Sequence, residues 1–145
     1  MVAAQLRTDF TGLWKVNLEK SVLRGPAPKE ILMKIEHREP MLNQQILLID
    51  AGGTRRRQAF AFGIGGEWAN PVGGSTARTR AQWEGTELVI ESWMKTPERE
   101  LHFKDHWSLS RDGQTLAMAH RDDDLAGQIT ILERALGASA TGFDE

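Results

Sequence analysis

The sequence contains no cysteine and no tyrosine, and these absences narrow what the protein can do. Without cysteine, the chain forms no disulfide, no thiolate metal site and no cysteine nucleophile. No apolar run approaches the roughly 20 residues that a membrane-spanning helix needs. An excess of basic residues is also missing, because 18 Lys and Arg stand against 20 Asp and Glu, for a formal net charge of −2. Since nucleic-acid-binding domains usually gather basic residues on one face, we expect neither a nucleic acid partner nor membrane insertion.

Helical periodicity is missing over any long stretch, and short β segments dominate the chain instead. The best helical candidate is a turn or two at residues 18–23, before Gly25 and Pro26. Strands separated by glycine, proline and Asp-Gly turns are typical of an all-β, antiparallel up-and-down β-barrel of about nine to ten strands. The nine segments that show a strand pattern are residues 12–18, 31–39, 44–50, 56–63, 76–83, 87–94, 100–109, 115–121 and 128–134.

The length of the chain fits a single domain with a single core. No interdomain linker or internal repeat interrupts it, so the predicted domain covers residues 1–145, with poorly ordered ends at 1–8 and 136–145. The apolar segment at the N-terminus is too short to be the apolar region of a signal peptide. This predicts a cytoplasmic protein for the chain as it stands, or an exported one if a leader has been removed.

The dipeptide Asp112-Gly113 favours a tight hairpin turn, which sets a register for the second half of the chain. Across this turn, Trp107 faces Met118 and Asp105 faces His120. Following the alternation through the neighbouring turns gives one apolar face that we expect to point into the barrel, although a slip of one residue would invert part of it. This face carries Ala77, Thr79, Ala81, Trp83, Leu88, Ile90, Leu101, Phe103, Trp107, Leu109, Leu116, Met118, Ile129 and Ile131.

Two ionisable side chains, Asp105 and His120, interrupt this apolar face as direct neighbours. An imidazole beside a carboxylate serves as an orienting pair in acid–base catalysis. The same pair can anchor the polar group of an otherwise apolar ligand, or it can be a buried pair with a structural role alone. The sequence leaves these interpretations open. Because the register places no serine or other nucleophile beside the pair, no catalytic residue is predicted.

The spacing of the histidine and acidic residues does not indicate a metal site. His102 and His106 have the spacing of a helical metal motif, but on a strand they lie roughly 13 Å apart and point outward. The acidic run at residues 122–124 lacks the spaced ligands of a calcium loop. We therefore expect no metal and no cofactor. A haem-binding variant would depend on His120, the single histidine predicted to face inward.

Arg78 and Arg80 offer an alternative register. If their strand faced inward, two guanidinium groups would form an internal clamp for a carboxylate ligand. The apolar alternation instead favours an outward position, with cross-strand salt bridges to Glu87 and Glu91. The basic run at residues 55–57 is interpreted as a solvated hairpin flank.

Three motifs resemble those of bacterial lipocalin-like proteins of the calycin type. Residues 10–21, FTGLWKVNLEKS, are similar to an opening with an aromatic residue, Gly-x-Trp, then Leu-Asn and Lys-Ser. Residues 83–90, WEGTELVI, are similar to a Trp-Asp-Gly-x-x-Leu hairpin, and residues 106–116, HWSLSRDGQTL, to a Trp-x-Leu-Ser-x-Asp-Gly-x-Thr-Leu hairpin. Together these motifs extend across most of the chain.

The resemblance implies an up-and-down barrel whose interior takes a small apolar ligand. It also implies that Trp14 closes one end of the barrel, covered by Arg134 from the last strand through a cation–π contact. Two features depart from the related fatty-acid-binding proteins. Those proteins hold a carboxylate with an Arg-x-Tyr element, whereas this chain has no tyrosine, and residues 18–30 are too short and proline-rich for their two-helix lid.

The leading hypothesis is a non-enzymatic module that binds a small, mostly apolar molecule inside the barrel. The alternatives are an acid–base enzyme or haem-binding barrel that uses Asp105 and His120, and a filled barrel that serves as an interaction module, with Trp93 and Leu132 outward and a homodimer as one outcome. The predicted ligand-binding residues are Phe60, Phe62, Trp83, Ile90, Phe103, Asp105, Trp107, Met118 and His120.

Overall fold

The computed structural model describes residues 8–72, 74–122 and 127–135. The described residues form ten antiparallel strands in one sheet, which confirms the all-β barrel expected from the turn spacing. The predicted disordered ends lie outside the described residues, except for Thr8. The strands are β1 (Gly12–Val16), β2 (Glu30–Arg38), β3 (Met41–Ile49), β4 (Arg55–Gly63), β5 (Glu67–Val72), β6 (Ser75–Glu84), β7 (Glu87–Lys95), β8 (Glu100–Leu109), β9 (Thr115–Asp122) and β10 (Gly127–Arg134).

The first strand pairs with the last, so the sheet curls into a barrel whose two edges are β4 and β5. Its order is β4-β3-β2-β1-β10-β9-β8-β7-β6-β5, so every other neighbouring pair is also consecutive in the chain. In the β1–β10 pair, Trp14 lies opposite Arg134. The two edge strands, β4 and β5, then come to lie beside each other, and the ten strands make a nearly closed barrel.

The strand β5 was not predicted, and it completes the wall beside β4. Its sequence, EWANPV, contains a proline and lacks a clear apolar alternation. Proline is tolerated here because β5 is an edge strand, where an absent backbone N–H breaks no ladder. Helical structure at residues 18–23 was also predicted and is wrong, since this segment contains a turn at residues 18–20 and a β-bridge at Val22.

A side chain bridges the seam between β4 and β5, which no backbone ladder spans in the described part of the chain. Asn70 is 3% exposed. Its Oδ1 accepts a hydrogen bond from the Ala61 N–H at 2.8 Å, and its Nδ2 donates to the Ala61 carbonyl at 2.9 Å. The amide thus gives Ala61 the donor and the acceptor that a neighbouring strand would otherwise supply. Beside it, the Trp68 indole lies where a Cβ at Gly63 would overlap it.

Trp14 is fully buried at one end of the barrel, which we call the closed end. Its Nε1 donates to the Phe10 carbonyl at 3.0 Å, and the Arg134 guanidinium lies 4.3 Å from the centroid of its ring. Arg134 is held there because it donates to the carbonyls of Gly113 at 2.9 Å and Thr11 at 2.8 Å. Glycine is required at position 12, because a Cβ would overlap Arg134 Nη1 and φ is +153°.

The register read from Asp112-Gly113 is confirmed. Asp105 pairs with His120 and Trp107 with Met118 across β8 and β9. The outward direction of Arg78 and Arg80 is confirmed as well, but their predicted ion-pair partners are wrong. Both arginines approach Glu67 on β5, at 3.7 and 3.2 Å. The unpredicted strand β5 provides this carboxylate, which explains the difference.

The face predicted for the last strand is wrong. Ile129 was expected to point inward and is 46% exposed, whereas Leu132 was expected outward and is completely buried. His120 pairs with Gln128 and Met118 with Thr130, so the even-numbered residues of β10 face the interior. No turn residue in the preceding acidic connection fixed the register, and a shift of one residue exchanges the two faces of a strand.

The described residues contain no helix with the length and apolarity that a membrane crossing needs.

Candidate functional site

The barrel interior is not filled by its own side chains. It encloses a cavity of about 1040 Å³ that opens at the end opposite Trp14, which we call the open end. Eight of the nine residues predicted to bind a ligand line this cavity, because they alternate onto the inner face of β4, β7, β8 and β9. They are Phe60, Phe62, Ile90, Phe103, Asp105, Trp107, Met118 and His120. Their role as ligand contacts stays a prediction.

Trp83 is the predicted site residue that does not line the cavity. Its ring stacks on Phe10, with centroids 6.0 Å apart and planes at 13°, and its Nε1 donates to Glu39 Oε2 at 2.9 Å. Trp83 points toward the inner face as predicted, but it is the last such residue before the turn at the closed end. Alternation along β6 correctly predicts that Trp83 faces inward. It does not predict how far along the barrel axis Trp83 lies, and Trp83 lies nearer the closed end than the cavity does.

Several lining residues come from strands whose register the sequence did not set. Met33, Gln44 and Ile46 contribute from β2 and β3, and Thr130 contributes from β10. A period-two apolar pattern runs through β2 and would have indicated its inner face. This pattern alone does not predict which residues line the cavity, because no tight turn anchors β2 and β3 to the hairpins of the second half.

Residues 17–29, which we call the strap, cross the open end of the barrel. Val22 forms a two-hydrogen-bond bridge with Ile129, at 2.8 and 3.0 Å. Arg24 Nη1 lies 3.1 Å from Asp122 Oδ2, and the Arg24 N–H donates to Gln128 Oε1 at 3.2 Å. The strap contributes Leu23, Arg24, Pro26, Ala27 and Pro28 to the cavity lining.

The Asp105–His120 pair lies on the inner wall and is hydrogen bonded. His120 Nδ1 lies 2.7 Å from Asp105 Oδ1, and the Phe103 ring stacks on the imidazole with centroids 5.3 Å apart. The Asp105 hydrogen bond raises the pKa of His120, with further support from the charges of Asp105 and Asp122, against the opposing effects of burial and of Arg24. The pair can therefore hold a proton at the wall of the cavity.

This raised pKa predicts a pH-dependent contribution to stability. Because the folded pKa lies above the ordinary value of about 6.5, protonation of His120 favours the native state. The contribution is fully present below that value and is lost as the pH rises through the folded pKa. We expect Asp105→Asn to lower the His120 pKa, as followed by NMR titration of the imidazole, and to flatten this part of the stability profile.

The control for this prediction is Asp112→Asn, which changes an exposed carboxylate in the hairpin far from His120 along β9. It should leave the His120 titration unchanged. An Asp105→Asn protein whose His120 titrates as in the wild type would show that the hydrogen bond does not set the pKa.

The two outward histidines are engaged with carboxylates. His102 Nε2 lies 2.9 Å from Glu91 Oε2, and His106 Nδ1 lies 3.5 Å from Glu87 Oε1. No group of three or more His, Cys, Asp or Glu side chains in residues 8–72, 74–122 and 127–135 could hold a metal ion. Asp123 and Asp124 of the acidic run lie outside the described residues.

Solved structures with the same architecture place this barrel among known folds. Secretory abundant heat soluble protein 4 from Ramazzottius varieornatus aligns with a TM-score of 0.64 and 13% identity, over 92% of this chain and 100% of its own. The REP1-NXSQ fatty acid transporter gives 0.64 and 15%, over 89% and 98%. The fatty-acid-binding protein from Manduca sexta gives 0.51 and 14%, over 88% and 100%. The fold is a calycin-type β-barrel. No protein-family model and no curated protein sequence matches the chain.

The calycin-type fold expected from the Gly-x-Trp opening and the two hairpins is therefore confirmed. In this calycin-type barrel, the chemistry-bearing residues lie in the open half, on β8, β9 and the strap. The closed half holds the buried aromatic residues Phe10 and Trp14. The candidate site is the cavity that extends from the open end into the barrel interior, as far as the buried aromatic residues of the closed half.

Proposed function

We propose that this calycin-type barrel binds a small, mostly apolar molecule in its cavity. The observation that carries the proposal is the open interior of about 1040 Å³ with largely aromatic and aliphatic walls. A small barrel can be packed solid by its own side chains, and this one is not. The names of two similar structures, a fatty acid transporter and a fatty-acid-binding protein, support a binding role for the interior.

The chemistry of the walls favours binding over catalysis. Ligand pockets are mostly apolar, with a few polar groups that orient the ligand. Phe60, Trp107 and Met118 supply apolar surface, and Asp105 with His120 supplies one polar contact. Burial of an apolar ligand against such walls gains about 25 cal/mol for each Å² removed from water.

Filling the cavity should weaken binding. Ala77 is 5% exposed and lines the cavity, so Ala77→Phe places a ring inside it. We expect this variant to weaken Nile red binding, measured by fluorescence titration, at least about tenfold, which corresponds to about 1.4 kcal/mol. The matched control is Ala119→Phe, because Ala119 is exposed on the outer face of β9.

Native mass spectrometry of the protein purified from its own host provides the complementary measurement. A copurifying small molecule that Ala77→Phe excludes and Ala119→Phe retains would support the proposal. Equal Nile red affinity for the wild type and Ala77→Phe would contradict it, because the dye would then be bound outside the cavity.

Acid–base chemistry is the second candidate, and the 2.7 Å contact between His120 and Asp105 within the cavity favours it. Acid–base catalysis by this pair requires that both side chains reach the same cavity and lie within hydrogen-bond distance of each other, and Asp105 and His120 do both. A haem-binding variant would use His120 as the axial ligand and would give the purified protein a Soret absorption band. A homodimer stays a prediction from the sequence.

A further inference from the structure

Five titratable side chains line the described part of the cavity wall, and each already has a partner of opposite charge. His120 bonds to Asp105, and Arg24 pairs with Asp122 at 3.1 Å. Arg56 Nη2 lies 3.9 Å from Asp50 Oδ2, at the rim, where its side chain is 75% exposed to water. The charges of these pairs balance. A ligand carboxylate therefore meets no cation that lacks an anionic neighbour.

The two arginines are also confined to the open end, and the remaining cationic group, His120, is already bonded to Asp105. Arg24 belongs to the strap, and Arg56 lies near the start of β4 beside the β3–β4 turn. The walls nearer the closed end are formed by Met33, Phe62 and Trp107, which carry no charge. A carboxylate taken into this half would lose its hydration without gaining a countercharge, which is costly in an apolar environment.

Uncharged hydrogen-bonding groups are distributed differently, because they lie on several walls. Gln58 on β4, Ser92 on β7 and Thr130 on β10 line the cavity, and none of these side chains has a hydrogen-bond partner among the described residues. Gln44 on β3 is 6% exposed, and its Nε2 contacts the Met33 sulfur at 3.1 Å. Since a thioether is a weak acceptor, most of the hydrogen-bonding capacity of Gln44 remains available.

The aromatic side chains present flat surfaces between these polar groups. The Phe60 and Phe62 rings stack with centroids 6.2 Å apart and planes at 14°. Trp107 meets Phe62 edge to face at 86°. A rigid ring system can lie against such flat surfaces, and it loses less conformational freedom on binding than a flexible chain does. The walls therefore suit a rigid ring system.

We propose that the cavity selects an uncharged, ring-containing molecule with hydrogen-bonding groups on at least two of its edges, in preference to a fatty-acid anion. The inference rests on the proposed function, since it names the class of ligand for the same cavity. Gln44 and Thr130 recognise the polar edges, and the Phe60, Phe62 and Trp107 rings contact the ring faces.

Displacement of Nile red by three probes tests the proposal. Progesterone is an uncharged ring system with carbonyl groups at both ends, while palmitate and 1-hexadecanol are a matched pair of chains with and without a charge. We expect progesterone to bind at least about tenfold more tightly than palmitate, a difference of about 1.4 kcal/mol. Hexadecanol should bind at least as well as palmitate, because no unpaired cation rewards the carboxylate.

Two variants connect the selectivity to named side chains. Gln44→Leu and Thr130→Val keep the side-chain size and remove the polar group, and each should weaken progesterone binding several-fold, more than it changes hexadecanol binding. The control is Gln45→Leu, since Gln45 is the exposed neighbour on the outer face of β3. Thermal unfolding shows whether each variant folds, and Thr130→Val keeps the test decisive if Gln44→Leu does not.

The outcomes separate the two proposals. If palmitate displaces Nile red as well as progesterone does, or better, the ligand class is wrong and the binding function stands. If Gln44→Leu and Thr130→Val bind progesterone as the wild type does, the recognition by polar edges is wrong. If the wild-type protein binds none of the probes and no Nile red, the proposed function itself fails.

Discussion

Replacing Trp14 by alanine lowers the free energy of unfolding by about 3–5 kcal/mol, the usual cost of removing a buried tryptophan side chain. The side chain is completely buried, and its Nε1 donates to the Phe10 carbonyl. Its loss leaves a void at the closed end and removes the ring over which Arg134 lies. Because β1 and β10 pair at this position, the void weakens the contact that closes the barrel. Urea denaturation followed by far-UV circular dichroism measures the effect.

The matched control is Trp93→Ala. Trp93 lies on the outer face of β7, half-buried, where its ring stacks on His102 with centroids 5.4 Å apart. The Arg78 and Arg80 guanidinium groups lie over the same ring, at 4.9 and 5.6 Å from its centroid. Because these are surface contacts, we expect a smaller loss than for Trp14→Ala, about 1–2 kcal/mol. Equal losses for Trp14→Ala and Trp93→Ala would show that the closed end does not hold the barrel together.

Replacing Asn70 by leucine is expected to cost about 2–4 kcal/mol, because each buried polar group left without a partner costs about 1–3 kcal/mol. The Asn70 amide satisfies both the N–H and the carbonyl of Ala61 across the seam between β4 and β5. Leucine fills similar space and satisfies neither group. Chemical denaturation gives the loss of stability. Hydrogen exchange of β4 and β5, measured by mass spectrometry, shows whether the seam opens.

Asn43→Leu serves as the control, because Asn43 is an exposed asparagine that lies opposite Ala61 on the other side of β4, away from β5. This variant should unfold at nearly the wild-type denaturant concentration and keep its exchange pattern. If Asn70→Leu matches Asn43→Leu in both measurements, the hydrogen bonds of Asn70 do not close the barrel.

The hairpin at Asp112-Gly113 shows how much a sequence can establish. A tight turn fixes which residues face each other, and period-two alternation then assigns every side chain of both strands to a face. This is enough to predict from the sequence that Asp105 lies beside His120. The same reasoning failed at β10, where Leu132 is buried and Ile129 is exposed, because no turn chemistry fixed the length of the preceding connection.

The sequence by itself determined the antiparallel β-barrel, the inner face of β6 to β9 and the pairing of Asp105 with His120. These follow from local turn chemistry and from alternation along a strand. Only the tertiary structure decided that Asn70 closes the seam, that the strap crosses the open end and that Trp83 lies outside the cavity. It also decided that every charge on the described cavity wall has a partner, since Arg24 and Asp122 are distant in sequence. Such features depend on which strands meet when the sheet closes, and alternation along single strands carries no information about that closure.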